Sequence, residues 1–141
     1  MTHLPEPPPQ NPPRILLVDD DSVVLRLLYT LLEREGCEVL SAGDALDALA
    51  IFRRTARPID LLIADYHMPR MSGLELARKC EQVQAGLNVL YVSGAAPDQE
   101  LKEDLRMANR RFLAKPFRAG ELMRKTRDLL PGWAEQFSQT C

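Results

Sequence analysis

No apolar run in the 141 residues approaches the length needed to cross a bilayer. The N-terminus has no basic segment followed by an apolar one, so no secretory signal is read. Charge of one sign is missing as well. Eighteen Lys and Arg against twenty Asp and Glu leave a formal net charge of −2. That balance excludes recognition of nucleic acid or of a membrane surface through bulk electrostatics. Cysteine is scarce: Cys37, Cys80 and Cys141 are odd in number and lack metal-ligand spacing. They read as reduced thiols of a cytoplasmic protein. There is no internal repeat. Past residue 130 too few positions remain for a helix-turn-helix, so no DNA-reading segment is expected.

What is present is an ordinary globular balance, 45% apolar and 27% charged, in a length that suits one domain with a single core. Proline is concentrated at one end, with six of the 11 at positions 5, 7, 8, 9, 12 and 13. Residues 1–13 are therefore expected to form a disordered or polyproline-like leader, residues 14–130 the domain, and residues 131–141 a tail. His3 falls in that leader and has no expected role.

Apolar runs at Ile15-Leu16-Leu17-Val18, Leu61-Leu62-Ile63-Ala64 and Val89-Leu90-Tyr91-Val92 predict strands buried on both faces. Cys37 to Ala42 is a less apolar strand, suited to an edge, and Arg111 to Ala114 a short fifth one. Between them lie helical patterns. Ser22 to Glu35 places Val24, Leu27, Leu28 and Leu31 on one face, with Gly36 as a stop. Asp44 to Thr55 turns Ala45, Ala48, Leu49 and Phe52 inward. Ser72 to Gln84 does the same with Leu76, Cys80 and Val83. Pro97 suits the first turn of a helix to Ala108, with Leu101, Leu105 and Ala108 inward and a charged outer face. Arg118 to Leu130 turns in Leu122, Thr126 and Leu129, and Pro131-Gly132 ends it. Five strands alternating with five helices predict an α/β fold: a doubly wound parallel sheet with right-handed crossovers. The order 2-1-3-4-5 is one of two common choices.

That order would bring four strand ends to one rim. They carry Asp19 and Asp20, then Asp65, Ser93 and Lys115. Alone, Asp65 would read as a turn former or a cap. Together, three carboxylates in one cleft repel each other unless something neutralises them. An oxygen-only ligand set favours Mg²⁺. A carboxylate beside the metal can attack phosphorus, and the metal, an ammonium and a hydroxyl can stabilise phosphoryl oxygens. Asp21 reads as the cap of the first helix, Tyr66 and Tyr91 as packing residues, and His67 as a rim residue. Trp133 and Phe137, spaced i, i+4, either pack on the body or offer a partner an apolar handle, with packing preferred.

Val18-Asp19-Asp20-Asp21, the stretch Asp65-Tyr66-His67-Met68-Pro69-Arg70-Met71-Ser72-Gly73, Ser93-Gly94, and Phe112-Leu113-Ala114-Lys115-Pro116-Phe117 resemble the signatures of the response-regulator receiver domain. The resemblance covers residues 14–130 and is nearest to receivers of hybrid histidine kinases or single-domain regulators. It implies a flavodoxin-like fold and Asp65 as phosphoacceptor. It also implies Mg²⁺ held by Asp20, by Asp65, by the backbone carbonyl of His67, and by Asp19 through water. Ser93 would hold a phosphoryl oxygen and Lys115 would pair with it, the Lys115–Pro116 bond would be cis, and Phe112 would be the aromatic switch. The implied partners are a histidine kinase or phosphotransfer protein, with a homodimer or output protein reading residues 97–130. Catalysis would extend only to the chain's own phosphorylation and dephosphorylation. Ser93 and Phe112 stand where Thr and Tyr are frequent, and the loop 108–111 lacks a common glycine. Two alternatives remain open. Asp19-Asp20-Asp21 also reads as the D-x-D of haloacid-dehalogenase-like phosphatases, though the chain has no room for their cap. A degenerate receiver acting only as an interaction module is opposed by the intact Asp20, Asp65 and Lys115.

Overall fold

The computed structural model describes residues 12–133. The leader up to residue 11, His3, Phe137 and Cys141 lie outside the described residues. Ten elements alternate along the chain: β1 (Arg14–Val18), α1 (Ser22–Arg34), β2 (Glu38–Ala42), α2 (Ala45–Arg54), β3 (Leu61–Asp65), α3 (Gly73–Val83), β4 (Asn88–Ser93), α4 (Gln99–Asp104), β5 (Arg110–Ala114) and α5 (Ala119–Leu129). The sheet is parallel throughout, in the order β2-β1-β3-β4-β5. The order reverses between β1 and β3, which opens a crevice at the carboxyl ends of those strands.

The period-2 alternation of the strands divides the core into two halves. Leu16, Val18, Leu62, Ala64, Val89 and Tyr91 point to one face, beneath α2, α3 and α4. Ile15, Leu17, Leu61, Ile63, Leu90 and Val92 point to the other, beneath α1 and α5. Most of these are fully buried, each aliphatic side chain contributing about 1.5–3 kcal/mol relative to exposure. Side-chain caps start α1, α2 and α3: Asp21 accepts the Val23 N–H at 2.9 Å, Asp44 the Asp47 N–H at 2.8 Å, and Ser72 the Glu75 N–H at 3.1 Å.

Several sequence expectations shift. In α1 the buried residues are Leu28 and Leu32, and Leu27 is 51% exposed. This helix is apolar on more than one side, so periodicity alone did not choose its inner stripe. In α3 Val83 is 56% exposed, and Leu74 and Ala77 join Leu76 and Cys80 inside. α4 is much shorter than expected. Asp98, not Pro97, begins it, because the Asp98 carboxylate accepts the Leu101 N–H at 2.8 Å and fixes the cap there. It ends at Asp104 in tight three-residue turns, Arg106 N–H to Glu103 and Met107 N–H to Asp104, and Ala108 is exposed. Past Leu130, residues 131–133 are helical again, and Trp133 is buried in the α1/α5 half of the core. Cys37 and Cys80 are free thiols, one in each half, and burial pushes both up to about 12.

Candidate functional site

The rim is built by strands ending in register. Ala64 of β3 sits beside Val18 of β1 and Tyr91 of β4, and Ser93 of β4 beside Ala114 of β5. Each strand therefore runs out at one level, with a polar residue at its tip. The Lys115 N–H continues the ladder by donating to the Ser93 carbonyl at 2.8 Å, and the Lys115–Pro116 bond is cis.

Asp19 is buried at 1% exposure. Its Oδ1 accepts the Asp21 N–H at 2.8 Å, and its Oδ2 accepts Lys115 Nζ at 3.0 Å. Lys115 Nζ also lies 3.5 Å from Asp65 Oδ2. Asp65 is buried and Asp20 exposed, so the cluster is open on one side. One carboxylate oxygen each from Asp19, Asp20 and Asp65 falls within 4.8 Å of the others. At such a distance two full charges repel by about 3–4 kcal/mol at an effective dielectric near 20. Among the described residues Lys115 is the only ammonium paired into the cluster, and one positive charge does not balance three carboxylates.

The electrostatics follow from this crowding. Burial raises the Asp65 pKa, and the neighbouring Asp19 charge raises it further. Lys115 and the His67 backbone N–H pull it back only in part. Lys115 moves the other way from what burial dictates. Desolvation disfavours its charge, but the Asp19 hydrogen bond and the attraction of Asp19 and Asp65 outweigh that, and its pKa is raised. A hard cation fits this donor set: three convergent oxygens, an excess of negative charge and one solvent-facing side.

Ser93 is 1% exposed, and its Oγ accepts the Ala95 N–H at 3.1 Å, which leaves the hydroxyl proton available. His67 is exposed, in the loop after β3. Phe112 is half-buried against the α2/α3/α4 half of the core, with Tyr91 as its cross-strand neighbour. The structure thus gathers Asp19, Asp20, Asp65 and Lys115 directly, with Ser93 at the adjoining strand tip. Phe112 lies back along β5, away from the cluster.

Some contributors were not visible as such in the sequence. Gly73 is one. A Cβ there would stand 2.5 Å from the Asp65 carbonyl oxygen, so only glycine lets α3 start this close to the strand end. Its N–H donates to the Tyr66 carbonyl at 2.9 Å. Arg70, at φ 71°, adopts the left-handed turn that returns the chain toward α3. Tyr66 and Tyr91 pack as expected, but each also donates a hydrogen bond to a carboxylate, Tyr66 to Asp98 and Tyr91 to Asp104. Burial and the Asp98 contact push the Tyr66 phenol up to about 12. Arg110, 2% exposed, joins Glu81 at 2.8 Å and Asp104 at 3.0 Å.

With this geometry, the relatives are informative. The response regulator receiver domain family model matches residues 15–127. The chain is 32% identical over 122 residues to the response regulator receiver protein CpdR of Brucella abortus, covering 83% of this chain and 96% of that protein. It is 36% identical over 126 residues to the transcriptional regulatory protein CpxR of Escherichia coli, covering 87% of this chain and 52% of that protein. It thus spans about half the length of several curated relatives. Among solved structures, the receiver domain of the hybrid histidine kinase CckA superposes with a TM-score of 0.71 at 32% identity, covering 83% of this chain and 98% of that one. A CheY-like receiver from Methanospirillum hungatei gives 0.77 at 29% identity, covering 89% and 99%. These relatives favour the receiver over the phosphatase alternative, and no helix among the described residues is long and apolar enough to cross a membrane. Sheet order, the acidic rim with its lysine, and the family match over most of the sequence agree: the chain belongs to the response regulator receiver domain family of two-component signalling.

Proposed function

We propose that this receiver accepts a phosphoryl group on the Asp65 side chain from a histidine kinase or phosphotransfer protein. The observation that carries the assignment is the position of Asp65. It ends β3, within 4.8 Å of the Asp19 and Asp20 oxygens and 3.5 Å from the Lys115 ammonium. An Asp65 oxygen forms the new bond to phosphorus as the bond to the donor imidazole nitrogen breaks, and the imidazole leaves with its electron pair. Asp20, Asp65 and the His67 carbonyl would hold Mg²⁺, with Asp19 reaching it through water. The bound ion would neutralise charge on the transferring group. Lys115 is placed to follow the reaction. Its tighter contact is with Asp19 and its looser one with Asp65, so a small shift brings the ammonium to a phosphoryl oxygen. Ser93 supplies the hydroxyl. The site's catalysis is confined to its own phosphorylation and its reversal.

The output reading follows from the same residues. As Ser93 turns toward the phosphoryl group, space opens behind β4 and Phe112 moves inward. The ring is already half-buried, so the gain is a fraction of the roughly 1.5–3 kcal/mol for full burial. The face across residues 97–130 is then rebuilt for an output protein or a second copy of this chain. The whole protein's partners follow from whatever that face contacts.

Incubation with Mg²⁺ and acetyl phosphate tests the assignment. Intact mass should show one acid-stable, base-labile phosphoryl group, lost in Asp65→Asn because an amide is no nucleophile. The same gain in the variant would remove Asp65 from the role.

A further inference from the structure

α4 is a poor helix by its own means. It has six residues, Gln99–Asp104, and buries one apolar side chain, Leu101. A helix this short does not persist alone in water. Its strongest attachments are at its two ends. At the start, the Tyr66 hydroxyl donates to Asp98, 2.9 Å from the nearer oxygen, while the same carboxylate caps the Leu101 N–H. At the finish, the Tyr91 hydroxyl donates to Asp104 Oδ2 at 2.7 Å, and Arg110 Nε donates to that oxygen at 3.0 Å. The two tyrosine rings meet edge to face, with centroids 6.3 Å apart.

The sequence positions of these tyrosines matter. Tyr66 directly follows Asp65, and Tyr91 lies two residues before Ser93. The Tyr66 backbone is fixed on both sides. Its N–H donates to the Val92 carbonyl at 2.9 Å, and its carbonyl accepts the Gly73 N–H at 2.9 Å. A rigid ring on that backbone turns a small rotation of the peptide after Asp65 into a larger displacement at the hydroxyl. Hydrogen bonds weaken steeply with such displacements.

We propose that Tyr66 and Tyr91 form a two-point clamp on α4, and that Tyr66 is the positioning residue that couples the phosphoacceptor strand to the α4 N-cap. The coupling deepens the receiver reading and rests on it, whereas the clamp stands on the free protein alone. Modification of Asp65 rotates the following peptide, draws the Tyr66 hydroxyl from Asp98 and releases the start of α4. Tyr91 and Arg110 keep the far end in place, so the helix swings about Asp104. This route needs no movement of Phe112.

Amide hydrogen exchange on the full chain, with and without beryllofluoride and Mg²⁺, tests both parts. In the free protein, Tyr66→Phe should speed exchange at Leu101 and Lys102 by roughly tenfold or more, the cost of losing a bond to a charged acceptor, without changing β1 and β3. Tyr91→Phe should act at Leu105 and Met107. Asp98→Ser keeps a capping oxygen but is too short for the tyrosine, and should reproduce the Tyr66→Phe result. Rates at Leu101 and Lys102 within twofold of wild type in both Tyr66→Phe and Asp98→Ser would overturn the clamp. Beryllofluoride should speed those amides in wild type and add nothing in Tyr66→Phe. An equal increment in both would overturn the coupling. Phosphoryl uptake from acetyl phosphate and Mg²⁺, read by mass on beryllofluoride-free portions of the same preparations, decides the Asp65 assignment separately.

Discussion

α3 and α4 lie on the same face of the sheet and are held there by opposite means. α3 buries Leu74, Leu76, Ala77 and Cys80. α4 buries Leu101 and is otherwise held by polar contacts: Asp98 at its cap accepts from Tyr66, Glu100 makes an exposed pair with Arg78, and Asp104 takes Tyr91 and Arg110. Apolar contact is nearly indifferent to direction and is lost only when the core opens. A hydrogen bond depends on geometry and can be lost by a small shift. One helix is therefore tied to global stability. The other can move while the rest of the domain stays folded, as befits an element next to a site whose charge changes.

The largest break in this contrast should come from Leu76→Ala. The side chain is fully buried, and its loss should cost about 2–5 kcal/mol, read as an earlier cooperative transition in urea with every element unfolding together. Arg110→Met should rank second. It removes the buried guanidinium, leaving Asp104 with the Tyr91 hydroxyl but no cation and Glu81 without its ion pair. Because Glu81 is partly exposed, the cost should fall near or below the lower end of the about 3–5 kcal/mol for breaking a buried pair, with the end of α4 and the start of β5 losing amide protection first.

Asp65→Asn should go the other way. The folded state holds the Asp65 pKa above its ordinary value, chiefly by burial and by Asp19. Between the unfolded and the folded pKa, the folded state therefore binds more protons, and wild-type stability falls as pH rises through that window. Above it the deficit is complete. In metal-free buffer at neutral pH the variant should melt a few degrees higher than wild type, and the gap should close as pH falls below about 4, the ordinary Asp value. An equal gap at both pH values would mean that the charge is not its source. The smallest effect should be Arg78→Ala. The Arg78–Glu100 pair is more than half exposed at both ends, so its loss should cost under about 1 kcal/mol and vanish in high salt.

The same contrast explains what the sequence could disclose. Strands β1, β3 and β4 were legible because both faces are buried, which demands uninterrupted apolar runs such as Leu61-Leu62-Ile63. α2 was legible because its four inward residues fall on one clean stripe. Asp19, Asp20, Asp65, Ser93 and Lys115 were legible because they interrupt those runs where each strand must meet water. α4 was not. Asp98 caps its start locally, but the contacts that hold its two ends to the body come from Tyr66, 32 residues before Asp98, and from Tyr91, 13 residues before Asp104, and no local pattern encodes such partners. The need for glycine at position 73 was equally hidden, because it arises from the Asp65 carbonyl across a turn.

The sheet is also a partition, and each side of it holds one buried thiol: Cys80 on the α2/α3/α4 side, Cys37 on the α1/α5 side. With thiol pKa values near 12, neither reacts appreciably while its own compartment stays shut. Once Cys141 is replaced by serine, the domain carries two native probes that report independently on its two halves. The rates at which an alkylating reagent consumes them count the openings of each compartment, with no foreign label introduced.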